Sequence, residues 1–292
     1  MKIGIVGNLG KKELAGAVKD FLGYLQESAV RYVVEENIAS LIAEHGLPQD
    51  PAKVGSLGQC VESADILVAF GGDGTILSAA RRAGAIGTPV LGINLGKLGF
   101  LAEVAPQEMK EAIRDLMEKR YVIEERSVLQ GESAQLGGRM LHAVNDIVIA
   151  KGRSPRIISL DVHVDGSFAV TCRGDGIILS TPTGSTAYAL SNGGPIVIPG
   201  SAVFGLTPIS PHSLSGRPLI VPDNSVVTIL GSSDGEEFLI SADGQEEAVV
   251  SQPLRIEIRK AGFNLRLVRR TTRSYFDVLR AKLLWGTDLR SS

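Results

Sequence analysis

Residues 3–6, Ile-Gly-Ile-Val, make a short apolar run, and apolar residues then recur at Leu14, Val18, Leu22 and Leu25. The first pattern suits a short strand. The second suits an amphipathic helix, because one helical face gathers every third or fourth residue. The alternation continues with a strand over 30–34 and a helix through Ile38, Leu41 and Ile42. Residues 64–70 are almost continuously apolar, as in a strand covered on both faces. A helix over 75–83 and a strand over 89–93 follow. A further helix is predicted over 106–120, with Pro106 in its first turn and glutamates early in it. Strands alternating with helices predict a parallel sheet with helices on both faces, a Rossmann-like α/β domain.

From about residue 122 the period changes. Leu160, Val162 and Val164 alternate with Asp161, His163 and Asp165, and Asp165-Gly166 supplies a turn. Leu254, Ile256 and Ile258 alternate with Arg255, Glu257 and Arg259. Short strands with Gly and Pro turns predict an antiparallel sandwich or layered β domain, interrupted by one short helix near 185–191. Helical spacing returns through Phe276, Leu279 and Leu283, the pattern of a terminal docking helix. The expected organisation is an α/β domain over 1–122, a β-rich domain over 123–270 and a segment, 271–292, packing back on the first domain.

Composition narrows the class. A chain of 292 residues exceeds one average domain, so two domains or one large one are expected, and 44% hydrophobic with 21% charged residues suits a globular protein that buries a full core. A net charge of −2 is too balanced for a nucleic-acid surface. Cys60 and Cys172 make no disulfide framework and fit a reducing compartment. The apolar run at the start is too short for a signal-peptide core, and no segment approaches the roughly 20 apolar residues of a spanning helix. A cytoplasmic protein without membrane or nucleic-acid partners is expected.

Candidate chemistry concentrates in Gly71-Gly72-Asp73-Gly74-Thr75, between a buried strand and a helix. Glycines there permit unusual backbone angles and remove side chains that would fend off a ligand. The helix start adds unpaired N–H groups and partial positive charge, a setting phosphates prefer. An aspartate opposes a phosphate's charge, so it is expected to hold a metal or to accept a hydroxyl proton. An isolated Asp-Gly would more often be a helix-capping turn. A second cluster spans Thr181-Pro182-Thr183-Gly184-Ser185-Thr186-Ala187-Tyr188-Ala189-Leu190-Ser191 and ends in Asn192-Gly193-Gly194-Pro195-Ile196. Its hydroxyls can bond phosphates, sugars or an adenine edge, and Tyr188 can stack on a base. Capping accounts for one or two of these residues, not for their density. Asn145-Asp146 lies within an otherwise apolar strand over 144–150, which favours a ligand-facing role. Arg173-Gly174-Asp175-Gly176 and Asp243-Gly244-Gln245 are acids in glycine-rich turns, each alone more often a hairpin.

Other motifs fail. Lys97 after Gly96 is followed by Leu98, so no P-loop forms. The glycines at 92, 96 and 99 miss the dinucleotide fingerprint. Gly231-Ser232-Ser233-Asp234-Gly235 fits G-x-S-x-G by letter but lies between strand-like runs and reads as a hairpin turn. His45, His142, His163 and His212 show no metal-ligand spacing.

Together the motifs resemble the NAD kinase family. Residues 71–75 are similar to the signature that family shares with diacylglycerol, sphingosine and 6-phosphofructo-kinases. The segment from Thr181 through Ile196 resembles the family's longest and most selective motif. Gly92-Ile93-Asn94, Leu98-Gly99-Phe100-Leu101, Asn145-Asp146 and Asp243-Gly244-Gln245 occur in the family's order. Asp146 stands where many relatives have glutamate, so the acid is kept. The resemblance implies that Asp73 is the base or metal-organising acid beside the ribose 2′-hydroxyl of NAD⁺. It implies that Gly71, Gly72, Gly74 and Thr75 meet phosphates of ATP, and that Gly74 lets the dinucleotide approach. Asn145 and Asp146 would bond the adenine-side ribose or adenine. Thr186, Ala187, Tyr188, Ala189, Leu190 and Ser191 would line the adenine and nicotinamide pockets, with Arg156, Arg173, Asp175 and Gln245 around them. Arginine at the place of Arg173 goes, in relatives, with preference for NAD⁺ over NADH and for ATP. The implied cofactor is a divalent cation such as Mg²⁺, with residues to hold it unassigned, and the implied assembly is a homodimer or homotetramer. Two alternatives stay open: another kinase sharing the residue 71–75 signature, acting on a lipid or sugar phosphate, and a non-catalytic dinucleotide sensor.

Overall fold

The computed structural model describes all residues except 97–98, 154–155, 214–215, 233–236, 272–273 and 284–292. Contacts divide the chain into two units: Met1–Glu125 with the segment from Leu265 onward, and Arg126–Asn264. The first unit begins β1 (Lys2–Gly7), α1 (Leu14–Glu27), β2 (Arg31–Glu35), α2 (Glu36–Glu44), β3 (Val54–Gly55) and α3 (Leu57–Ser63). It continues β4 (Ile66–Gly71), α4 (Asp73–Gly84), β5 (Val90–Asn94), α5 (Met109–Met117) and β6 (Tyr121–Arg126). The second holds β7 (Leu129–Glu132), β8 (Leu141–Ala143), β9 (Asp146–Lys151), β10 (Ile158–Val164), β11 (Ser167–Gly174) and β12 (Gly176–Ser180). After the single turn α6 (Tyr188–Ser191) come β13 (Val203–Ile209), β14 (Leu219–Pro222), β15 (Val227–Ser232), β16 (Glu237–Ala242), β17 (Glu246–Ser251) and β18 (Leu254–Lys260). The chain then returns to the first unit with β19 (Leu265–Arg270) and α7 (Tyr275–Leu283).

The first unit is a seven-stranded sheet in the order β3-β2-β1-β4-β5-β19-β6, with parallel pairing from β3 to β19. All six residues of β4 are buried, as its apolar run requires. Phe21 of α1 meets Phe70 of β4 edge to face, ring centroids 5.3 Å apart, in a core shared with Ile3, Ile5, Leu14 and Leu22. Each such side chain contributes about 1.5–3 kcal/mol by leaving water.

The second unit packs two six-stranded sheets, β11-β10-β15-β18-β7-β8 and β14-β13-β12-β9-β16-β17. One core takes Leu160, Ile229 and Ile256 from the first sheet and Ile149, Leu179, Phe204 and Phe238 from the second. The expected α/β domain and antiparallel β domain are both present, and a C-terminal helix lies in the first unit.

Several local expectations are corrected. The helix predicted over 106–120 is a 3-10 turn, Pro106–Glu108, and then α5, and it stops short where Lys119 turns left-handed at φ 56°. The predicted helix near 185–191 is a 3-10 turn, Gly184–Thr186, followed by α6 alone. β15 and β16 belong to different sheets, so their connection is not a hairpin; residues 233–236 lie outside the described residues. The same holds for residues 173–176, since β11 and β12 lie in different sheets. Asp243 does turn the β16–β17 hairpin.

Candidate functional site

At the carboxyl end of β4 the chain enters α4 through Gly71 and Gly72. A Cβ on Gly71 would stand 2.1 Å from Thr75 Oγ1, so only glycine admits that threonine against the strand end. Gly72 is the N-cap of α4, and Asp73 is the helix's first residue. The Asp73 side chain turns back onto a neighbouring turn. Oδ2 accepts from the Phe100 N–H at 2.8 Å, and Oδ1 accepts from Leu101 N–H at 3.0 Å and Ala102 N–H at 3.1 Å. The fit is tight enough that a Cβ on Gly99 would lie 1.9 Å from Asp73 Oδ1.

The segment after β5 exists to make this turn. Asn94 Oδ1 accepts from the Gly96 N–H at 3.0 Å, and Ile93 bridges to Val104. Gly92 gives room for Ile76 of α4, whose Cδ1 would lie 2.2 Å from an added Cβ. Lys97 and Leu98 of this motif lie outside the described residues. Arg269 of β19 braces the turn from behind, with Nη2 donating to the Phe100 carbonyl at 3.4 Å and Nη1 to Glu103 at 2.6 Å. Beside the carboxylate, Lys282 of α7 holds its Nζ 3.9 Å from Asp73 Oδ2. Asp73 is half-buried, with an exposed helix start at Gly74.

In the second unit a different aspartate does comparable work. Asp243, left-handed at φ 54°, accepts from three consecutive N–H groups: Val144 at 3.0 Å, Asn145 at 2.7 Å and Asp146 at 3.2 Å. Asn145 therefore precedes β9 rather than lying inside a strand, because its N–H is taken by a turn carboxylate and not by a ladder. Its carbonyl accepts from Thr181 N–H at 2.9 Å, and a Cβ on Gly184 would come within 2.0 Å of that oxygen. Asp146 opens β9 and is only 5% exposed. Burial, reinforced by the nearby Asp243 charge, pushes its carboxyl up to about 7.

The hydroxyls of the Thr181–Ser191 cluster are mostly spent inside the loop, which corrects the sequence reading of their density. Thr181 Oγ1 donates to Val144 O at 2.5 Å and accepts from Gly184 N–H at 3.1 Å. Ser185 Oγ donates to Pro182 O at 2.7 Å and accepts from Val197 N–H at 2.9 Å. Thr186 Oγ1 donates to Thr183 O, and Thr183 Oγ1 accepts from Arg126. Short irregular backbone needs such partners. What the loop presents outward is Tyr188, 45% exposed, with Ser191 exposed, Ala187 and Leu190 half-buried and Ala189 buried. Gln245 is exposed two residues beyond Asp243.

Asp175 lies where the chain passes from β11 to β12 and pairs with Lys151 Nζ at 2.7 Å. That hydrogen-bonded ammonium holds its carboxyl below the usual range. Arg173 is exposed near the end of β11, and Arg156 is exposed in the β9–β10 connection. Within the units, then, Asp73 is gathered with Gly71, Thr75, Gly99 and Lys282, and Asn145 with Asp146, Asp243 and the Thr181–Gly184 turn. Sequence reasoning did not single out Lys282 as a site residue, nor Asp243 individually. Asp243 had a signal, an acid before glycine in a turn, but its target amides are some 100 residues away. Among the described residues no group of three or more His, Cys, Asp or Glu is arranged to hold a metal.

A parallel sheet whose central strand delivers a glycine-lined acid to a helix start, in one chain with an antiparallel sandwich, defines an α/β protein with a second, β-rich unit. Residues 3–121 match the ATP-NAD kinase N-terminal domain and residues 144–270 the ATP-NAD kinase C-terminal domain. The chain belongs to the ATP-NAD kinase family, phosphotransferases that act on NAD. It is 37% identical to the NAD kinase of Pseudomonas entomophila over 290 residues, 98% of this chain and 96% of that one. It is 44% identical to the NAD kinase of Bacteroides fragilis over 229 residues, 78% of each chain. The yeast NADH kinase complexed with NADH superposes with a TM-score of 0.88 at 30% identity, covering 100% of this chain and 90% of that one. An NAD kinase from Archaeoglobus fulgidus in complex with ATP superposes with a TM-score of 0.75 at 25% identity, covering 96% and 99%.

Proposed function

We propose that this chain transfers the γ-phosphoryl group of ATP to the 2′-hydroxyl of the adenosine ribose of NAD⁺, giving NADP⁺ and ADP. The observation that carries this reading is the Asp73 carboxylate, fixed by three backbone N–H groups at the exposed start of α4. Phosphoryl transfer asks a protein mainly for positioning and charge neutralisation. The 2′-oxygen forms the new P–O bond as the bond from the γ-phosphorus to the bridging oxygen breaks, ADP departs, and the hydroxyl proton passes to Asp73. Oδ2 accepts one backbone N–H and Oδ1 two, which leaves Oδ2 an acceptor direction for that hydroxyl.

Gly71, Gly72, Gly74 and Thr75 form the phosphate-facing turn. Asn145, Asp146, Tyr188, Ser191 and their neighbours Thr186, Ala187, Ala189 and Leu190 bind NAD⁺, with Arg156, Arg173, Asp175 and Gln245 around them. Arg173 favours NAD⁺ over NADH and ATP as donor. One solved relative is complexed with NADH and another with ATP, which supports these ligand classes. A divalent cation, Mg²⁺ by preference, would be held largely by substrate phosphates and water, with Asp73 the carboxylate at the start of α4 that could join them, and would supply charge neutralisation for the transferred phosphoryl group. The working state is a cytoplasmic homodimer or homotetramer. Exposed Phe168, Val170, Leu219 and Ile220 on the edge strands β11 and β14 support an assembly, and no helix among the described residues is long and apolar enough to cross a membrane.

The test is NADP⁺ formation by wild type and Asp73→Asn with ATP, Mg²⁺ and NAD⁺. The variant is expected to lose about 10²–10⁴ in kcat while NAD⁺ binding stays largely intact. Near-normal turnover removes Asp73 from the chemistry.

A further inference from the structure

A triphosphate at the first turn of α4 brings several negative charges up to Asp73, itself an anion. Helix N–H groups answer with partial charge only. The described residues place a full cation at the same spot. Lys282 Nζ lies 3.9 Å from Asp73 Oδ2 and 4.9 Å from the centre of the Phe100 ring. Tyr275, two helical turns earlier on the same face of α7, sets its ring 6.5 Å from Phe100. Phe100 in turn donates its N–H to Asp73 at 2.8 Å. Helix, ring and carboxylate thus form one assembly around the lysine ammonium.

The distances matter. At 3.9 Å the ammonium is near Asp73 but beyond a hydrogen bond to it, so its three donors are not committed to the carboxylate. Among the described residues, Arg269, the other cation touching this turn, is spent on Glu103, Glu124 and the Phe100 carbonyl. The Lys282 side chain is about 28% exposed, open enough to meet a ligand.

We propose that Lys282 is a second catalytic residue, whose ammonium binds the terminal phosphate of the donor beside Asp73 and offsets the charge that develops during transfer. This rests on the reading that Asp73 works at the ribose hydroxyl. A purely structural lysine would instead tether α7 through Phe100 and Asp73, and the two roles separate experimentally. Lys282→Met keeps an apolar stem over the ring and removes the charge; Lys282→Arg keeps the charge.

Wild type is assayed first for NADP⁺ from ATP, Mg²⁺ and NAD⁺; absence of product overturns the functional reading and the lysine's role with it. Given turnover, Lys282→Met is expected to lower kcat by about 10²–10³, with the KM for NAD⁺ moving less than about threefold. Its Kd for ATP should rise about tenfold or more while its Kd for AMP, which lacks the terminal phosphates, stays unchanged, and Lys282→Arg should recover part of both losses. Turnover within about twofold of wild type, or equal weakening of ATP and AMP alongside a lowered melting temperature, overturns the proposal. Lys282→Gln is the second variant if Lys282→Met fails to fold; if neither folds, the lysine is structural and the proposal falls.

Discussion

Asp73 and Asp243 perform the same backbone task in the two units, each gathering three N–H groups of a turn that no ladder satisfies. Such groups cost free energy when buried without partners, so both acids are structural before they are anything else. Gly99→Ala tests how closely Asp73 must be held. The added Cβ would meet Oδ1 at 1.9 Å and push the carboxylate aside, and a displacement near 1 Å is expected to lower kcat about 100-fold, measured as NADP⁺ formation. Asp146 yields a pH prediction. Its carboxyl is raised to about 7 in the fold against an ordinary 3.8, so the folded chain holds the proton more tightly than the unfolded one. The stability it contributes is complete below pH 3.8 and is lost as pH rises through about 7. Asp146→Asn mimics the protonated acid and is expected to melt higher than wild type at pH 8 and near it at pH 4. The gap widens by about 1.4 kcal/mol for each pH unit over which the folded acid keeps its proton and the unfolded one has lost it. Equal melting differences at both pH values would count against a buried, proton-holding Asp146. At this scale the strand-to-helix turn at Gly71 to Thr75 was legible, since three glycines between an apolar run and a helical pattern mark such a junction. The hydroxyls of Thr181, Thr183 and Ser185 misled, because a sequence does not show which loop amides and carbonyls need internal partners.

Among elements, β19 is the least legible and the most consequential. Its Leu-Arg-Leu-Val-Arg-Arg run alternates like an antiparallel strand, yet it enters the parallel sheet with Leu267 opposite Val90, a pairing across most of the chain. Parallel partners so distant leave no local signal. Its arginines are buried with acids from the first unit: Arg270 Nε reaches Asp115 at 2.7 Å and Nη2 reaches Glu111 at 3.2 Å. Burial alone would raise the Asp115 carboxyl, but hydrogen bonds from Arg270 and Arg120 outweigh it and hold the group below its ordinary value. Removing one partner of a buried pair strands the other, so Arg270→Ala is expected to lose about 3–5 kcal/mol in urea unfolding of the whole chain. A loss below about 0.5 kcal/mol would show that β19 is held by its apolar residues alone. The helix α3 had a readable start, Ser56 and Gln59 in a reciprocal capping box, although its short apolar content hid it.

For the whole molecule, the change from helical to alternating period near residue 122 foretold a parallel α/β unit and an antiparallel β unit, because period follows directly from which faces are buried. That reading rested on patterns within single elements, which is why it survived where crossings between sheets, such as residues 173–176, did not. The proposed chemistry rests on the family and on the fixed carboxylate at the start of α4. Its central claim is the position of the transferred phosphate, and ³¹P NMR of the dinucleotide formed from ATP, Mg²⁺ and NAD⁺ reads that position directly. A phosphomonoester on the 2′-oxygen of the adenosine ribose, absent when Asp73→Asn is used in the same time, is the predicted result. A phosphate on any other oxygen, or an equal yield of product from the variant, contradicts the account.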